Sequence, residues 1–395
     1  MTTPGSAHRP QRGIRVLRIA DVPGDRVGGM RRAMASTSAL LADRGHAIDH
    51  RFTEDLPTPG PRRCRRLLVP LLLPLHVMRL KACGRAPDVV EIHEPLGAPY
   101  AILRRLLMRR LPPMVALSHG LEERGWSAQK ARWRRRGRYG PLKARVLVPL
   151  TLVAQARIAL RLADAVVVLS SEDRDHLLHK RGLRAARVHR IDNGVEEDLL
   201  TLPRAPRAGD APVQLLFVGT WIDRKGTPEL VDAFTRLRND HLDVRLVAAG
   251  TGTGVGGVLS CFPACVRTDV EVRPSLTRRE LRELLGRADV FVLPSWFEGM
   301  PLSLLEAAAA GVPVVATDTC GIRDVVRPSD PDRDGGRLVP PHDGTALHAA
   351  LDELVRDAGL RLRLGVRARA RAQAFTWAAS AAALERAYLA SLDAT

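Results

Sequence analysis

Residues Val290–Thr317 read VFVLPSWFEGMPLSLLEAAAAGVPVVAT, and this stretch decides the fold. Val290–Leu293 is a short β-branched apolar run, the pattern of a strand buried on both faces. A loop carrying Glu298-Gly299-Met300 follows it. A helix over Leu302–Ala310 then opens at Pro301, and a second apolar run occupies Val312–Ala316. Strand, helix and strand in that order make a βαβ unit of a parallel sheet. Proline suits the helix start because the first-turn N–H groups have no intrahelical acceptor.

The same alternation runs outward in both directions. Strands are expected at Val213–Val218, Val244–Ala248 and Leu338–Val339, with helices over Pro228–Leu237, Leu276–Leu285 and Ala346–Arg356. In the first half, strands are expected at Ile14–Ala20, Asp88–His93, Met114–Ser118, Ala165–Leu169 and Val188–Ile191, with a helix over Met30–Arg44. Pro203–Pro212, rich in Pro, Ala, Arg and Gly, reads as a linker. The expectation is an α/β fold of two facing, doubly wound, Rossmann-like domains with a central cleft, over residues 14–205 and 206–374, followed by a terminal segment 375–395. Sheets of this kind bind ligands at the carboxyl ends of their strands.

A length of 395 residues fits two such domains. The chain carries a net charge of +18, all of it in the first half: Met1–Leu200 holds 37 basic against 19 acidic residues, and the remainder 24 of each. Leu56–Pro87 and Arg124–Ala163 contain no acid at all. A cationic half suits an anionic membrane, a phosphorylated acceptor or a nucleic acid. Aromatics at 4% speak against a single-strand stacking platform. The five cysteines form no CxxC pair and read as free thiols in a reducing compartment. Met1–Gly13 lacks the apolar core of a secretory signal. The longest apolar run, Leu67–Met78 (LLVPLLLPLHVM), is too short to span a bilayer and is flanked by basic residues. It suits a membrane interface or a buried helix–loop segment. A cytoplasmic protein, peripheral at most on the inner face of the membrane, is the expectation.

The chemistry concentrates at strand ends. The N–H groups of Met300, Leu302 and Ser303, at the positive end of a helix, suit a diphosphate, and Gly299 lets backbone come close to a ligand. Glu298 lies in the loop and Glu306 within the helix, so the two carboxylates have separate roles. Arg224 and Lys225 supply cations for such an anion. No DxD pair stands at a strand end, so no metal and no bound cofactor are expected. His119 ends a strand beside Gly120 and is the stronger candidate histidine; His93 is the weaker one. Gly252, Gly254 and Gly257 spell GxGxxG, but the following VLSCFPACVRTD has no clean helical period, so a dinucleotide cofactor is not expected.

The chain resembles the retaining glycosyltransferases of family 4, with two facing Rossmann-like domains in the GT-B arrangement. Their mark is two glutamates with seven residues between them, as Glu298 and Glu306 stand here. Gly28-Gly29, Gly45-His46-Ala47, DVVEIHEP (88–95), LSHG (117–120), DAVVVLSSE (164–172), DNGV (192–195), FVGTWIDRKG (217–226), Gly321–Val325 and Gly335–Pro340 are similar to further stretches of the family. The segment 375–389 resembles its helix that crosses back to the first domain. The resemblance implies that Glu306 binds the nucleotide ribose, Glu298 the donor-sugar hydroxyls and Lys225 the diphosphate. It places His119 and Glu298 in catalytic roles, and Gly28, Gly29, Gly219, Arg224, Gly299, Met300, Pro301, Leu302 and Ser303 around the donor. Thr220 departs from the arginine usual after the VG glycine, and Arg224 is the candidate substitute.

The expected activity is transfer, with retention and without metal, of a hexose-type sugar from a nucleotide-diphosphate donor to an acceptor hydroxyl. The setting would be glycan, glycolipid or cell-envelope polysaccharide synthesis, with a lipid-linked, saccharide or small-molecule acceptor. A nucleotide-sugar epimerase on the same fold is the enzymatic alternative. A basic nucleic-acid-binding protein is the non-enzymatic one, although no nucleic-acid motif is present and no nucleic acid is expected as a partner.

Overall fold

The computed structural model describes residues 13–22, 28–56, 62–107, 110–135, 137, 139–205, 211–326 and 334–393. Strands β1 (Arg15–Ala20), β2 (Ala47–Phe52), β3 (Val89–His93), β4 (Met114–Ser118), β5 (Ala165–Val168) and β6 (Val188–Arg190) form one sheet in the order β2-β1-β3-β4-β5-β6. Strands β7 (Val213–Val218), β8 (Val244–Ala249), β9 (Val270–Arg273), β10 (Val290–Leu293), β11 (Val314–Thr317) and β12 (Gly336–Val339) form the other, in the order β12-β11-β10-β7-β8-β9. In both sheets the chain starts inside, winds towards one edge and then returns towards the other, which is the doubly wound pattern. Two strands without an apolar run in the sequence, β2 (AIDHRF) and β9 (VEVR), are edge strands. An edge strand has one paired side and needs no continuous apolar sequence.

Packing divides the chain into two compact units. Met1–Ser118, Leu150–Val167 and Ala381–Thr395 make the first, and His119–Pro149 with Val168–Ser380 the second. The division thus falls at the end of β4 and within β5, rather than at the proline-rich stretch, of which 206–210 lie outside the described residues.

In the first unit, helix α1 (Gly29–Asp43) follows β1. Helix α2 (Arg62–Ala82) joins β2 to β3, and α3 (Ala98–Leu106) joins β3 to β4. The connection from β4 to β5 holds α4 (Glu122–Arg135), α5 (Leu142–Val148) and α6 (Ala154–Leu162). The apolar run at Leu67–Met78 belongs to α2, which continues through Pro70 and Pro74. Prolines four residues apart fall on one side of a helix, and both are buried here. In the second unit, α7 (Thr227–Asn239) follows β7, α8 (Arg278–Arg287) precedes β10, and α9 (Leu302–Ala309) joins β10 to β11. The last helix, α10 (Trp377–Asp393), ends in the first unit.

Within the first sheet, β1 and β3 bury a charge pair. Arg18 and Glu91 are aligned in the parallel register, so both side chains leave the sheet on the same face. Arg18 Nε donates to Glu91 Oε1 at 2.8 Å, and its Nη1 donates to Met34 O, Thr37 Oγ1 and Ser38 Oγ of α1 at 2.8–3.0 Å. Tyr388 of α10 donates its hydroxyl to Glu91 Oε2 at 2.5 Å, and His93 Nε2 lies 2.7 Å from Oε1. Burial alone would raise the Glu91 pKa; the Arg18 charge and the His93 and Tyr388 hydrogen bonds reverse this and hold it well below the carboxylate range. One buried carboxylate therefore ties β1, α1 and α10 together. Removing one member of a buried pair strands the other without compensation, which costs about 3–5 kcal/mol. Arg18→Met is expected to destabilise the first unit by that amount in urea unfolding, and adding Glu91→Gln to it should recover part of the loss.

Candidate active site

The candidate site of the second unit is assembled from two loops after adjacent strands. β7 and β10 pair directly, so the turns at their carboxyl ends lie side by side. After β7, Gly219 and Thr220 lead to a 3₁₀ turn at Asp223–Lys225, closed by Gly226 at φ +70°. Only glycine serves at 226: the conformation is left-handed, and a Cβ there would run into the Pro294 carbonyl. After β10 comes the Pro294–Pro301 loop. Its Trp296 N–H donates to Arg224 O at 2.9 Å, and Trp296 Nε1 donates to Glu229 of α7 at 3.2 Å.

Glu298 is buried between the two turns. Lys225 Nζ stands 2.6 Å from its Oε1. Arg224 Nη1 lies 3.3 Å from the same oxygen and donates to Phe297 O at 2.8 Å. Burial pushes the Glu298 pKa up, but the Lys225 and Arg224 charges outweigh burial and lower it, so the group is an anion at neutral pH. Arg224 thus shares a carboxylate with Lys225, while Thr220 stands exposed.

Gly299, Met300 and Pro301 carry the chain from Glu298 into α9. Pro301 is the N-cap, and no side chain caps this helix. The N–H groups of Leu302 and Ser303 thus receive no side-chain cap at the positive end of the helix. Asn193 holds the approach in place, donating Nδ2 to Met300 O at 2.9 Å. A Cβ on Gly299 would strike the His119 carbonyl, so the His119-Gly120 turn lies directly against the loop. One helical turn further on, Glu306 is buried and accepts from Arg278 Nη1 of α8 at 2.6 Å. Arg278 also bonds Glu196. The two glutamates thus sit in different surroundings, Glu298 beside Lys225 and Arg224 at the loop and Glu306 against Arg278.

Gly219, Arg224, Lys225, Glu298–Ser303, Glu306 and His119 all belong to the second unit. Gly28 and Gly29 belong to the first, where Gly28 is the N-cap of α1 and a Cβ there would meet no atom of the described residues within 4 Å. Arg278 and Asn193 escape a reading of the sequence. Arg278 is one of several arginines in TRRELRELLGR with nothing to single it out, whereas Asn193 falls in the quoted DNGV motif without an evident task. The GxGxxG glycines lead into a helix of only five residues, Val255–Leu259, too short for a dinucleotide fold. Among the described residues, no group of three or more His, Cys, Asp or Glu side chains is arranged to hold a metal ion.

Comparison with known proteins bears on this geometry. Residues 212–357 match the family model "Glycosyl transferases group 1", and residues 27–199 match "Glycosyltransferase Family 4". The chain is similar to glycogen synthase of Mycobacterium tuberculosis, 31% identical over 325 residues that cover 80% of this chain and 72% of that protein. It is 34% identical over 244 residues to D-inositol 3-phosphate glycosyltransferase of Xylanimonas cellulosilytica, covering 57% of each. The fold is similar to that of sucrose-phosphate synthase from Thermosynechococcus elongatus, with a TM-score of 0.75 and 21% identity over 95% of this chain and 98% of the other.

The Glu298 ion pair has a pH signature. A carboxyl whose folded pKa is depressed adds stability that is full above its unfolded value, about 4.3, and is lost as pH falls through the lower folded value. Glu298→Gln is therefore expected to melt below the wild type at pH 7, with the gap closing as pH drops below about 4. A gap that stays constant from neutral to acid pH would contradict the pairing.

Proposed function

We propose how this chain, which belongs to glycosyltransferase family 4 and is a glycosyltransferase, carries out its transfer. The donor is a nucleotide-diphosphate sugar carrying a hexose, and the acceptor is a hydroxyl group. Lys225, Arg224 and the N–H groups of Met300, Leu302 and Ser303 receive the diphosphate. Glu306 accepts hydrogen bonds from the ribose, and Arg278 aims its carboxylate. Glu298 binds sugar hydroxyls, and His119 hydrogen-bonds the sugar near the reacting carbon. As the sugar–phosphate bond breaks, negative charge grows on the leaving diphosphate. Fixed cations and helix-end N–H groups stabilise it without a metal ion. The acceptor attacks from the face the diphosphate leaves, which retains the anomeric configuration, and no enzyme nucleophile takes part.

The observation that carries this reading is Lys225 Nζ held at 2.6 Å from Glu298 beside the uncapped start of α9. The epimerase and nucleic-acid alternatives lose ground to the family membership. We place the reaction in the cytoplasm, with the protein peripheral on an anionic membrane. The cationic first half supports this, and no helix of the described residues is long and apolar enough to cross a membrane.

Two measurements test the reading. Turnover should survive excess EDTA; complete loss restored by magnesium or manganese would sink the metal-free mechanism. Glu306→Ala should weaken binding of free nucleoside diphosphate about ten- to hundredfold, since a hydrogen bond to a charged group is worth roughly 1.5–3 kcal/mol. Glu298→Ala should harm turnover of the whole donor more than binding of the free diphosphate. Wild-type nucleotide affinity in both variants would contradict the assignment of Glu306.

A further inference from the structure

The outer helices of the first unit share a composition that its other helices lack. The connections through α2, α3 and α6 all advance the same way across the sheet, from β2 to β3, β4 and β5. Right-handed crossovers put such helices on one face, and α2 packs on α3, which packs on α6. The opposite face is covered by α1 and α10, which meet the buried Arg18–Glu91 pair.

None of α2, α3 and α6 contains a single Asp or Glu. Arg79, Lys81, Arg105, Arg157 and Arg161 on these helices are exposed. Helix α2 is apolar on two sides: Val69, Leu73 and Val77 point into the core, while Leu71, Leu75 and Met78, at i, i+4 and i+7, point outward. Leu71 and Leu75 are each 59% exposed, and Leu106 of α3 is 72% exposed, with Ile102 one turn before it. Leu150 and Ile158 complete the exposed large apolar side chains of the first unit among the described residues, whereas α1 and α10 have none. A surface helix needs one apolar stripe; a second one, facing out across neighbouring helices, marks an interaction surface.

We propose that α2, α3 and α6 form a docking face for an anionic lipid bilayer. The inference rests on the membrane footing proposed above and assigns it to one surface. Leucines enter the acyl boundary while the arginines and lysines meet the headgroups. A second copy of the chain fits poorly, because pairing this face with itself would bring two acid-free basic layers together. A nucleic acid would use the cations but leave the leucine rows unmatched.

The test is sedimentation with vesicles of phosphatidylglycerol and phosphatidylcholine, against pure phosphatidylcholine. The wild type should bind the anionic vesicles at low salt and bind less, but still measurably, at high salt, because the apolar part is unscreened. Leu71→Ser, Leu75→Ser and Leu106→Ser together should lower the partition by at least about tenfold, with the nucleoside-diphosphate thermal shift unchanged. A second readout does not depend on that variant folding. In a chain with Cys64, Cys83, Cys261 and Cys265 changed to Ser, an environment-sensitive dye at Leu75→Cys should shift to the blue on anionic vesicles, and one at Ala39→Cys on α1 should not. If the wild type ignores anionic vesicles, the membrane footing itself falls. If it binds but the triple variant binds equally well, or the dye at position 39 shifts instead, the assignment to this face is overturned. A wild-type dimer that the triple variant dissociates, with vesicle binding unaffected, would also overturn it.

Discussion

The two turns at the carboxyl ends of β7 and β10 depend on the ion pair between Lys225 and Glu298. Two cations, Arg224 and Lys225, come from one turn, and the adjoining loop lies against them. Glu298 supplies the opposing charge from that loop, and its low pKa shows that the cations prevail over burial. The Trp296 N–H bond to Arg224 O and the absence of room for a side chain at Gly226 hold the two backbones in register. The fold itself thus fixes the orientation of both cations. The uncapped start of α9 continues the same design, because its N–H groups have no competing side chain.

The first unit solves a different problem with similar means. Its internal face buries a charge pair that would be expensive alone, and satisfies it with α1 hydroxyls and the Tyr388 phenol. The last helix is thereby fastened to the sheet, and Glu385 adds bonds to Arg44 at 2.6 Å and His46 at 2.9 Å. The outer face has the opposite character, with Leu71, Leu75 and Leu106 exposed beside the exposed basic residues Arg79, Lys81, Arg105, Arg157 and Arg161. A sheet sealed firmly on one side and left apolar and cationic on the other is suited to rest against a surface.

Much of this was legible in the sequence, for physical reasons. Central strands such as Val290–Leu293 and Val213–Val218 are buried on both faces, so their apolar runs announce them. The edge strands Ala47–Phe52 and Val270–Arg273 carry Asp49, His50, Arg51, Glu271 and Arg273 and leave no such run. Proline at 70 and 74 argues locally against a helix, and the packing of α2 overrides it. Glu298, Lys225 and Glu306 stand out by motif and spacing, and the structure gives Glu298 and Lys225 to each other. The partners from distant segments do not stand out: Arg278 meets Glu306 across 28 positions, and Tyr388 meets Glu91 across 297. Such pairs follow from topology and leave no local pattern.

In the proposed mechanism Lys225, held by Glu298, helps to receive the diphosphate of the donor. The most direct measurement is calorimetric titration of the wild type and Lys225→Met with nucleoside diphosphate and nucleoside monophosphate of the same base. The wild type should prefer the diphosphate, and Lys225→Met should bind the two nearly alike, with monophosphate affinity preserved. A Lys225→Met protein that keeps the full preference for diphosphate would contradict the account.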